Sequence, residues 1–174
     1  MISKVMDFRD EVSDRLPEAF AWFVHFYTAL GVAASFFALI AVYEGHASNA
    51  FWLLGLALFI DGTDGLLARR ADVNKWTSQF NGRKLDDIID YLNYAFIPMF
   101  FAYRFELVTG AWVWVLAFVL VASAYGFCHE AAKTHDGYFT GFPSDWNVVV
   151  FYMFVMKPSP DFNAIFLLIL GIMV

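Results

Sequence analysis

Asp61, Asp64, Asp86 and Asp90 are the residues of this sequence best placed to do chemistry. The first two stand in "DGTDGLLARR", directly after the apolar run "FWLLGLALFI", and the other two in "GRKLDDIIDYLNY". An isolated carboxylate in hydrocarbon is costly, so acids inside apolar runs are rare and usually functional. On a helix, Asp61, Asp64, Gly65 and Ala68 fall within about a 100° arc, and Asp86 and Asp90 share a face that Asn93, Tyr94 and Ile97 continue. Asp87 points roughly 100° away from that face. As antiparallel neighbours with both acidic turns near one membrane face, the two helices bring four carboxylates together. Such charges repel unless most are protonated or cations lie among them. Oxygen-only ligands favour hard ions such as Mg²⁺ or Mn²⁺ over zinc, and two such ions balance four negative charges. Gly65 and Ala68 leave room for a ligand to come close. Other readings stay open: an acid paired with Arg69 or Arg83, an acid snorkelling to the interface, or a proton or cation relay in a transporter.

The elements that must position these acids are membrane helices. The chain has 174 residues, 60% apolar and only 16% charged, where a soluble domain carries about a quarter charged residues. Long uncharged runs point to helices rather than to the short alternating strands of a barrel. Spans are expected at about 20–43, 49–69, 85–105, 111–132 and 147–157. The last piece, "FNAIFLLILGIMV", covers about 20 Å at 1.5 Å per residue against a roughly 30 Å core, so a truncated sixth span is expected. Thr28, Gly31 and Ser35 make a small-residue stripe on the first span where another helix can approach. Ahead of it, Val5, Phe8, Val12 and Leu16 suggest an amphipathic helix over residues 1–18, on the membrane surface or packed on the protein and closed by Pro17. The expectation is an all-α integral membrane protein: a six-helix bundle over 19–174, preceded by that interfacial helix.

Charge sets the orientation. With the N-terminus cytoplasmic, Lys4, Arg9, Arg15, Arg69, Arg70, Lys75, Arg83, Lys84 and Lys133 fall inside, and only Arg104 and Lys157 outside. The acidic turns then face the cytoplasm. A net charge of −6 argues against nucleic acid. The single Cys128 excludes an internal disulfide and a multi-cysteine metal site, and the first 18 residues are too charged for a cleaved signal peptide.

The spacing Asp61-x2-Asp64-Gly65-x2-Ala68-Arg69, then Gly82-x3-Asp86-x3-Asp90, resembles the signature of the CDP-alcohol phosphatidyltransferase family. A longer gap between Arg70 and Asn81 than much of that family has resembles its bacterial phosphatidylcholine synthase branch. So do "AWFVHFYTALG", "LDDIIDYLNYAFIP" and "AKTHDGYFTGFPSDWNVVVFY". The resemblance implies a six-helix enzyme of the bacterial inner membrane with a cytoplasm-facing site. It would transfer the phosphatidyl group of CDP-diacylglycerol to choline, giving phosphatidylcholine and CMP. Another alcohol, such as serine or inositol, is the near alternative, and a cation or proton transporter the distant one. Metal ligation falls to Asp61, Asp64, Asp86 and Asp90, with Asp90 as base. The CDP and phosphate side falls to Asp61, Asp64, Gly65, Ala68, Arg69 and Gly82, with Thr28 adding a hydroxyl or serving helix packing. The implied cofactors are two divalent cations, Mn²⁺ or Mg²⁺. The implied partners are CDP-diacylglycerol, choline and the lipid bilayer, with a homodimer as a candidate assembly. A quaternary ammonium offers no proton, so aromatic faces and acids must recognise it. Tyr91, Tyr94, Tyr138, Trp146 and Glu130 are the candidates by position. His25, His129 and His135 are too scattered to serve as metal ligands.

Overall fold

The structure, a computed structural model, describes residues 2–129 and 141–174, with side chains from residue 15 onward. Among the described residues every regular element is helical. Helix α1 runs Ile2–Tyr43 and α2 Ala47–Ala71, and a short α3 covers Val73–Trp76. Next, α4 (Gly82–Asp90), a π-helical stretch (Tyr91–Phe96) and α5 (Ile97–Arg104) follow one another without a break. A 3₁₀ turn at Gly110–Trp112 leads into α6 (Val113–Cys128), and α7 (Trp146–Met156) and α8 (Pro160–Ile172) complete the order.

Among the described residues, three helical segments are long and apolar enough to cross a membrane: Arg15–Tyr43, Ala47–Ala71 and Gly110–Cys128. Large apolar side chains stay exposed along the helices, Trp52 at 79% and Met156 at 72% among them. Water would penalise such a surface and hydrocarbon does not, so the chain is a membrane protein. The charged N-terminal stretch and the first span form one helix that continues through Pro17, where the sequence predicts an end. A proline removes one backbone donor and crowds the preceding turn without ending the helix here.

The helix ends follow local chemistry. Arg69 and Arg70 occupy the last turn of α2, where cations offset the negative end of the helix dipole. Asp72 ends α2 with φ 48°, a left-handed conformation that aspartate tolerates better than most residues. Asn81 caps α4 by accepting from the Lys84 N–H at 2.9 Å. At the opposite end, Gly45 turns the chain between α1 and α2 with φ 82°, and a side chain there would meet the Arg104 guanidinium.

The core is built from small residues where helices touch. Ala34, Ala38 and Ala41 of α1 and Ala50 and Ala57 of α2 are buried and let the two backbones approach closely. Larger groups fill the middle: Phe101, Met99, Val115, Trp146 and Leu167. The stripe Thr28, Gly31, Ser35 serves as the approach face expected of it. Ile89 presses on Gly31, and Ser35 donates to Asn93 Oδ1 at 2.8 Å.

Candidate active site

Two helices bring the acids together. On α2, Asp64 is buried and Asp61 half-buried; on α4, Asp86 and Asp90 are half-buried. One carboxylate oxygen each from Asp61, Asp86 and Asp90 lies within 4.8 Å of the others. Asp64 lies beside this group, close enough to Asp86 and Asp61 to interact with their charges and near the Thr28 hydroxyl, and Asp61 and Asp90 face each other. Carboxylates this close repel one another unless protons or cations lie among them. Among the described residues neither Arg69 nor Arg83 forms an ion pair with these acids, so basic side chains do not neutralise them.

The cluster suits a hard divalent cation. Metal–oxygen distances of about 2.1 Å place ligand oxygens roughly 3–4 Å apart, so these oxygens need only a small closure to share an ion. The donors are all oxygens, which matches Mg²⁺ or Mn²⁺ and not a thiolate- or imidazole-seeking metal.

The helix widens to π geometry immediately after Asp90. Such stretches are rare and concentrate at functional sites. Within it, Tyr94 turns to the acids and its hydroxyl donates to Asp61 Oδ2 at 2.7 Å. Tyr94 is therefore a buried support for a cluster acid. The Tyr91 hydroxyl donates to the Leu120 carbonyl at 3.1 Å, and its ring meets Phe127 edge-on at 6.0 Å.

The remaining expected residues divide by location. Gly65 and Ala68 lie half-buried along the acid-bearing face of α2. Arg69 is exposed, and one of its guanidinium nitrogens lies 3.4 Å from where a side chain on Gly65 would begin. The guanidinium thus lies back along Gly65. Thr28 is buried, donates its hydroxyl to the Val24 carbonyl at 3.3 Å and lies near Asp64. Gly82 opens α4 with the His25 ring directly against it. Trp146 does not open onto a binding site. It is fully buried, its Nε1 donates to Ser123 Oγ at 2.7 Å, and Phe142 packs on it at 4.6 Å. With every ring face occupied, it cannot receive a choline headgroup in this arrangement. Glu130 and Tyr138 lie outside the described residues.

Asp145, just ahead of α7, adds a carboxylate near the cluster that spacing alone does not single out. Its surface is accessible, yet partial enclosure and then the negative charge of Asp61 push its carboxyl above the usual carboxylate range.

The profile of the CDP-alcohol phosphatidyltransferases matches residues 22–174. Among curated relatives, a phosphatidylcholine synthase of Pseudomonas aeruginosa is 41% identical over 155 residues, 88% of this chain and 65% of that protein. One from Legionella pneumophila is 40% identical over 149 residues, 84% of this chain and 58% of the relative. One from Mesorhizobium japonicum is 39% identical over 158 residues, 90% and 59% of the two chains. The chain thus spans about three-fifths of the length of these relatives. With the profile matched over most of the chain, and Asp61, Asp86 and Asp90 meeting at one site, the chain belongs to the CDP-alcohol phosphatidyltransferase family.

Proposed function

We propose that the chain carries the phosphatidyl-transferring site of a bacterial inner-membrane enzyme that joins choline to CDP-diacylglycerol, yielding phosphatidylcholine and CMP. The observation that carries this reading is the meeting of Asp61, Asp86 and Asp90 oxygens within 4.8 Å, with Asp64 close beside Asp86. The similarity to bacterial phosphatidylcholine synthases supports choline as the acceptor.

Asp61, Asp64, Asp86 and Asp90 would hold two divalent cations, Mn²⁺ or Mg²⁺, which supply charge neutralisation to the diphosphate of the donor. Asp90, at the last turn of α4, takes the proton of the choline hydroxyl, a poor nucleophile until a carboxylate in hydrogen-bonding reach removes it. The oxygen then bonds to the phosphatidyl phosphorus as the phosphorus–oxygen bond to CMP breaks. Arg69, free to swing over Gly65, pairs with phosphate, and the small Gly65 and Ala68 admit the cytidine side. Tyr94 and Thr28 orient Asp61 and Asp64 rather than touching substrate. The quaternary ammonium is drawn by the negative charge of Asp61 and Asp145, with the Tyr91 ring as a further contact.

The six apolar helical segments α1, α2, α4 with α5, α6, α7 and α8 form a six-helix bundle in this reading. Arg69, Arg70, Lys75, Arg83 and Lys84 cluster in the sequence beside the acidic turns, a bias that would orient the site to the cytoplasm, where choline arrives and CMP leaves. The test is an acceptor assay: labelled choline, serine and inositol are each supplied with CDP-diacylglycerol and Mn²⁺. Choline alone should enter lipid with release of CMP. Incorporation of inositol but not choline would overturn the acceptor, and ion flux without nucleotide binding would overturn the reaction class.

A further inference from the structure

The polar segment between α2 and α4 is fastened to α1 at one histidine. The His25 ring nitrogen Nε2 lies 2.8 Å from Thr77 Oγ1, and both residues are buried. The Thr77 hydroxyl donates its one proton to the Val73 carbonyl at 2.8 Å, so it must accept from His25, which carries its proton on Nε2. The ring cannot slide away: Phe80 lies against it at 4.5 Å, and Trp22 meets it edge-on at 5.9 Å. Directly beyond the ring begins α4. A Cβ on Gly82 would stand 2.7 Å from His25 Cε1, closer than real carbons approach. Further along the same pair of helices, Ile89 presses on Gly31 at 2.7 Å from where its Cβ would be, and Ser35 bonds Asn93 at 2.8 Å.

These three contacts run in the same order along α1 and along α4 with its π-helical continuation. The helices are therefore parallel and held at fixed register. Asp86 falls between the first and second contacts, and Asp90 between the second and third. We infer that His25 is a positioning residue: its ring, locked by Thr77, sets the distance between α1 and the start of α4, and so places Asp86 and Asp90 against Asp61 and Asp64. Gly82 is glycine because this ring occupies the space where a side chain would stand.

The inference rests on the acids holding a divalent cation, and its readout is Mn²⁺ binding to the purified chain in nanodiscs, followed by electron paramagnetic resonance, with thermal unfolding measured without metal. Gly82→Ala and His25→Ala are each expected to weaken Mn²⁺ binding about tenfold, the low end of what altered support of metal ligands costs. Because both act on one contact, the double variant should be no more than about twofold worse than the weaker single variant, whereas independent effects would multiply to about a hundredfold. Thr77→Val keeps the shape and removes the acceptor, and should match His25→Ala; Thr77→Ser should bind like the unaltered chain. Multiplying effects, or unchanged Mn²⁺ affinity in Thr77→Val and Gly82→Ala, would overturn the inference. So would loss of thermal stability with Mn²⁺ affinity per folded molecule intact, the mark of a merely structural residue. If the unaltered chain binds no Mn²⁺, the metal site fails and the inference with it; if it binds Mn²⁺ but transfers no phosphatidyl group, only the proposed reaction fails.

Discussion

Removal of a single oxygen from Tyr94 probes how the cluster is held. The Tyr94 hydroxyl donates to Asp61 Oδ2 at 2.7 Å from a nearly buried position, so Tyr94→Phe deletes the donor while leaving the ring to fill the same space. A hydrogen bond to a charged group contributes about 1.5–3 kcal/mol, and each 1.4 kcal/mol is roughly a tenfold change in a binding constant. If the whole of that contribution is expressed in the metal-bound state, half-saturating Mn²⁺ rises about 10- to 150-fold. An ion shared with Asp86 and Asp90 would keep Asp61 in place in part, so the expected rise is near the lower end, about tenfold. The assay is an Mn²⁺ titration of CMP release from CDP-diacylglycerol and choline, with thermal unfolding in parallel. At saturating Mn²⁺ kcat should recover most of its value, and the KM for choline should stay within about twofold because Tyr94 supports Asp61 and does not touch the acceptor. Half-saturating Mn²⁺ within twofold of the unaltered protein, at equal thermal stability, would refute the idea that Tyr94 orients a metal ligand.

Three further outcomes are expected. Asp90→Asn keeps an oxygen in the cluster but removes the base, so Mn²⁺ should still bind while turnover falls about 10²- to 10⁴-fold; full activity in single-turnover kinetics would remove the base assignment. Gly31→Ala puts a carbon 2.7 Å from Ile89 Cγ2 and should destabilise the chain by about 1–3 kcal/mol in thermal unfolding, with Ile89→Leu, which has no branch at Cβ, restoring part of the loss; an unchanged unfolding midpoint would contradict that packing. Trp146→Phe leaves the fully buried Ser123 hydroxyl without its partner and should cost about 1–3 kcal/mol of stability without altering the KM for choline; a large rise in that KM would return Trp146 to the substrate site.

The acids were legible in the sequence for a physical reason: carboxylates are so costly in an apolar helix that their presence at three- and four-residue spacing already implies a shared partner. Helix limits were legible to within a few residues, because apolar runs of membrane length leave little choice; the second span, expected at 49–69, is Ala47–Ala71. What stayed hidden depends on contacts between distant segments. Trp146 reads from its position as an interfacial aromatic, but its surroundings make it a core residue: Ser123, twenty-three residues away, takes its N–H. Tyr94 shares the acidic face as expected, yet only the neighbouring helix makes Asp61 its acceptor. The π-helical stretch "YLNYAF" carries no residue that announces it, and Pro17 announces a helix end that does not occur. His25, set aside as a metal ligand, bonds to Thr77 fifty-two residues on, a pairing no local spacing encodes.

The most direct test is a structure of the protein with Mn²⁺, recorded near the manganese absorption edge so that anomalous scattering marks the ions. Two peaks bounded by the carboxylates of Asp61, Asp64, Asp86 and Asp90 are expected, with the Tyr94 hydroxyl on the far side of Asp61. Peaks elsewhere, or these four side chains turned apart toward lipid, would contradict a metal-held diphosphate site.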